Sequence, residues 1–133
     1  MDKQKLLLAR LSHRWQAVFN ELNTMIDSLH MVLTGESKYL EDIINTIIGF
    51  EIKQPFGNYK SHGLLWEIDA IKRAAAFIED EHKKTAVIEK LKYMKKMIIR
   101  IYETITIVTN SKQFFDELRG TASEFRSILS SNN

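Results

Sequence analysis

The chain has 133 residues, a net charge of +2, 44% apolar and 27% charged residues, and no cysteine. That balance is ordinary for a water-soluble domain and excludes collagen, wholesale disorder, disulfides, thiolate catalysis and cysteine zinc sites. One proline and five glycines leave few interruptions and favour long helices.

Leu8, Leu11, Trp15, Val18, Leu22, Met25, Leu29 and Val32 alternate spacings of three and four, an unbroken heptad seam widened by Phe19, Ile26 and Leu33. It predicts helix 1 over 3–33, ending before Gly35. At 1.5 Å per residue that helix is about 46 Å long, so the bundle is expected to be elongated or the helix kinked. The short apolar triplet Leu6–Leu8 is followed by no small-residue cleavage site, and no window reaches the length of a membrane span, so the expected compartment is the cytoplasm.

Helix 2 is predicted over 38–50 from Leu40, Ile43, Ile44, Ile47 and Ile48, with Ser37 as a helix-start residue. Residues 53–63 hold Pro55, Gly57, Asn58, Ser61 and Gly63 and read as a surface loop. Helix 3 is predicted over 63–82 on Leu64, Ile68, Ile71, Ala75 and Ile78, and helix 4 over 85–109 on a second heptad seam from Val87 to Val108. The stretches 43–52 and 101–109 are β-branched enough to compete as strands, but the heptad carries through the second of them. Helix 5 is predicted over 112–130. Gly120 interrupts it, and Thr121 with Glu124 has the spacing of a capping box, so a break is expected there. No repeat or linker divides the chain. The expectation is one all-α domain spanning 1–133, an up-and-down bundle of four to five helices.

Catalytic chemistry leaves no trace: the sequence has no phosphate-binding glycine loop and no nucleophile elbow. The nearest approach to a metal site pairs Glu79 with His82 and Asp27 with His30. Asp27 and His30 fall on the solvent side of the helix 1 heptad, so no metal, other cofactor or enzymatic activity is expected. No motif ties the chain to a particular family.

Two surfaces stand out. On helix 3, Trp66, Ala70 and Phe77 lie nearly opposite the main seam, with Ala74 at the edge. A helix apolar on both sides is either central in the bundle or exposes a second face. In the 53–63 loop, Phe56 and Tyr59 sit among Lys53, Lys60 and His62. Together these predict a non-catalytic interaction module (adaptor, regulator or inhibitor) that contacts another protein or a second copy of itself through Trp66, Phe77, Ala70, Phe56 and Tyr59.

The alternative rests on charge. Residues 34–82 carry nine acids and five bases, a balance of −4, whereas 83–109 carry seven bases and two acids, a balance of +5. Lys92, Lys96 and Arg100 form an i, i+4, i+8 row on helix 4 that could track the phosphates of a nucleic acid. Glu89 and Glu103 at its ends offer the opposing reading of an ordinary solvated face.

Overall fold

The structure is a computed structural model and describes residues 2–107 and 111–130, with the backbone alone at 59, 111 and 128–130. Its first element is a single helix, α1 (Lys3–Leu33). Asp2 starts it, its carboxylate accepting from the Gln4 N–H at 2.9 Å, which satisfies one of the donors a helix start leaves orphaned. At the other end the Glu36 and Gly35 N–H groups bond back to the Met31 and Val32 carbonyls, the Schellman pattern with glycine just past the helix. The heptad seam is the core face: Leu11, Val18, Leu22, Met25, Leu29 and Val32 are buried, while Leu8 and Trp15 near the start are half-buried.

Next come α2 (Tyr39–Ile48), strands β1 (Phe50–Ile52) and β2 (Tyr59–Ser61), α3 (Gly63–Ala75), α4 (Glu81–Ile107) and α5 (Ser111–Ser130). Among the described residues the fold is all-α, five helices with one small hairpin. α3 packs against α1, α2 and α4, and α5 lies on α1 and α4. α4 and α5 run antiparallel: Tyr93 meets Glu124 while Thr104, further along α4, meets Glu117, earlier in α5. Cross-links on the surface tie the layers together. Lys95 of α4 binds Asp69 of α3 through both carboxylate oxygens, and Arg14 of α1 reaches Glu67 of α3. The apolar core is one connected cluster to which all five helices contribute.

Besides α2, which spans Tyr39–Ile48 where 38–50 was expected because Gly49 ends it and Phe50 enters β1, three boundaries differ from expectation. α3 ends at Ala75, not at 82, and α4 begins at Glu81. The cause is Asp80, whose carboxylate and carbonyl accept from the N–H groups of Lys83 and Lys84 and so start a new helix. The side chain of Gln4 closes the turn from across the molecule, donating to the Phe77 carbonyl and accepting from the Glu79 N–H. His82 therefore belongs to the first turn of α4, and Phe77 to a turn. The second difference is the 53–63 loop: 53–58 form the tip of a β-hairpin, 59–61 its second strand, and Gly63 already starts α3. The third is α5, which passes Gly120 without a break. The stretch 101–107 is helical, and 108–109 lie outside the described residues.

Candidate interaction surface

The hairpin is built from its ends. β1 and β2 pair antiparallel with Phe50 opposite Ser61, Glu51 opposite Lys60 and Ile52 opposite Tyr59. Gly49 and Gly63 flank the strands at φ +90° and +83°, a region in which other side chains are strained. They also touch. A Cβ on Gly63 would fall 2.5 Å from the Gly49 nitrogen and 2.6 Å from the Ile47 carbonyl oxygen, closer than packed atoms approach. Two glycines thus form a tight neck that clamps the arm where it leaves the bundle.

The tip is shaped by Gln54, Pro55, Phe56 and Gly57, closed by the Gly57 N–H on the Gln54 carbonyl at 3.3 Å. Pro55 fixes φ at the second turn position, and Phe56 follows at the third, pointing into water. Every residue from 50 to 58 is exposed. Four exposed large apolar side chains lie on or beside this arm: Phe56 is wholly exposed, Ile48 and Ile52 about half, and Phe50 somewhat less. Trp66, on the first turn of α3, stands at the base of the arm, 43% exposed and stacked on the His62 ring with 4.3 Å between centroids.

The residues expected to form a docking surface are therefore only partly brought together. Phe56 and Trp66 belong to the arm and its base. Phe77 is 75% exposed but lies in the turn beyond the far end of α3, with more than two turns of helix between it and Trp66. Ala70, between them, is buried, because α3 is central and packs on three helices. The open small-residue face expected between Trp66 and Phe77 is thus closed at its middle. The side chain of Tyr59 lies outside the described residues. Ile48 reads in the sequence as part of the buried face of helix 2, and nothing local marks Phe50 and Ile52 as surface residues.

The basic row on α4 is exposed but largely engaged. Arg100 binds Glu124 at 2.9 Å and Lys92 lies 3.8 Å from Glu89. Glu124 also accepts a 2.6 Å hydrogen bond from Tyr93, and this bond, with Arg100 beside it, holds its carboxyl below the usual value. Among the described residues no group of three or more His, Cys, Asp or Glu converges as a metal site would require, and Asp27 faces Arg126 at 3.8 Å. No helix among them is long and apolar enough to cross a membrane. Comparison with known proteins found no matching family model, no matching curated protein and no matching solved structure.

Proposed function

We propose that the chain is a non-catalytic protein–protein interaction module of the cytoplasm, an adaptor, regulator or inhibitor, whose contact surface is the 50–61 hairpin with Ile48 and Trp66 at its base. The observation that carries this reading is the placement of Phe50, Ile52 and Phe56 on an arm exposed along its whole middle and fixed at a two-glycine neck. Exposed apolar side chains gathered on one projection mark interaction sites, whereas scattered ones are normal. Aromatic side chains held in a preset geometry bind with little further loss of entropy, and such residues dominate contact energies. The partner this arm fits is a different protein with an apolar cleft flanked by polar groups that answer Glu51, Lys53 and Lys60 on the arm.

Replacing Ile52 and Phe56 by Asp tests the reading. The double variant should retain the helical circular dichroism and thermal stability of the parent, because neither side chain is in the core. It should also lose a protein that the parent captures from its native host at stoichiometric yield. Loss of folding, or unchanged capture, would remove the arm as the contact surface.

A further inference from the structure

A second feature is independent of the arm. Between α1, α3 and the first three turns of α4 lies a half-open groove of about 370 Å³. Its floor is apolar, made by the buried side chains of Leu11, Ile71 and Leu91, and Trp15 forms a wall. The volume is within the range of small-molecule sites, which in helical bundles lie between helices.

The rim is cationic. Lys83 and Lys90 line the mouth, seven residues apart on α4 and hence two turns apart on one face. The four-carbon stem of each lysine lets both ammonium groups reach the space between them. Among the described residues neither forms an ion pair, whereas Lys72, Lys84, Lys92 and Lys95 each have a carboxylate within 4.0 Å. The Asp80 carboxylate is turned to the backbone N–H of Lys83 and starts α4. Lys90 lies over the Trp15 ring, 5.7 Å from Nζ to the centroid. Partial burial lowers the Lys90 pKa from its ordinary 10.5, and no neighbouring acid opposes that shift. An apolar floor with two unanswered positive charges at its mouth is the complement of a molecule with a hydrocarbon body and one anionic end. A neutral or cationic amphiphile fits the floor but not the rim.

We infer that this groove binds a medium-chain aliphatic carboxylate, with its chain against Leu11, Ile71, Leu91 and Trp15 and its carboxylate held between Lys83 and Lys90. The chain has two tryptophans, so Trp66→Phe leaves Trp15 as the sole reporter inside the site. Decanoate titrated below its micelle concentration should give a saturable change in Trp15 emission, with one site per chain by calorimetry. Decanol should bind roughly tenfold more weakly, the loss expected when a charge-assisted contact is missing. Lys83→Met with Lys90→Met should weaken decanoate to the level of decanol and leave decanol unchanged, because methionine keeps the apolar stem. Lys90→Met alone should show a smaller loss in the same direction. The Ile52→Asp, Phe56→Asp protein should bind decanoate like the parent, so failure of one site is distinguishable from failure of the other. Absence of a saturable signal, equal affinity for decanol and decanoate, or decanoate binding indifferent to the lysine variants would each overturn the assignment.

Discussion

Gly49 and Gly63 show how much can rest on two residues without side chains. Each has a positive φ, and each lies where a methyl group would strike the backbone of the other strand's neck. Gly49→Ala and Gly63→Ala should each cost about 2 kcal/mol or more in urea unfolding, combining left-handed strain with overpacking. Gly57→Ala at the tip, with positive φ but open space around it, should cost less. Glu21 offers a test of opposite sign. Partial removal from water, and secondarily the negative charge of Glu67, raise its pKa above the ordinary 4.5. A folded-state pKa above the unfolded one means that the folded protein favours the protonated form, so the charged carboxyl weakens folding at neutral pH. Glu21→Gln should accordingly raise the melting temperature at pH 7, and the gain should vanish as the pH falls below about 4.5, where both states are protonated. A gain of the same size at all pH values would contradict that assignment. Residue-level features of this kind were the least legible in the sequence. Gly49 and Gly63 are fourteen positions apart, and nothing local says that they touch. Phe56 was open to two readings, since a loop aromatic can project from the surface or fold back to close one end of the bundle, and it projects.

Among the elements, α1 and α4 could be read directly, because their heptad seams run for many turns and every turn repeats the same evidence. The end of α3 could not. Ala74, Ala75, Ala76 and Ile78 continue a helical apolar pattern past the true terminus, and the acids Glu79, Asp80 and Glu81 resemble any solvated helix face. Only the geometry shows that Asp80 caps a new helix and that Gln4, far away in sequence, closes the turn. The strands were only half legible: 43–52 is β-branched enough to compete as a strand and its end is β1, but three residues each is too short for an alternation to mark their bounds. In α5 the sequence suggested a break at Gly120 that the fold does not make. Gly120 is exposed mid-helix with no atom where a Cβ would go. Gly120→Ala should therefore stabilise the protein by about 0.5–1 kcal/mol through reduced backbone entropy, read by urea denaturation. Loss of stability in that variant would mean that α5 is in fact bent or broken at this point.

For the molecule as a whole, the bundle serves as a rigid base. α3 is enclosed by α1, α2 and α4, which explains why Ala70 is buried and why the two apolar sides of α3 do not translate into one open face. Among the described residues, the exposed large apolar side chains gather at the arm and its base, with the others at Leu6 on α1, Phe77 in the α3–α4 turn, and Tyr93 and Ile107 on α4. Because the arm is assigned to a different protein, light scattering over a concentration series should report the mass of a single chain throughout. A dimer that Ile52→Asp with Phe56→Asp dissociates would instead make the arm a self-interface. The positive row on α4 gives a separate whole-molecule expectation: with Arg100 and Lys92 engaged by carboxylates, retention on heparin should be lost at modest salt. The most direct measurement of the central claim is site-specific photo-crosslinking in the native host, with a photoreactive phenylalanine analogue at position 56 and, as control, at the exposed Arg119 on α5. The arm assignment predicts one discrete crosslinked species containing a different protein at position 56 and none at 119; no adduct at 56, or the same adducts at both positions, would contradict it.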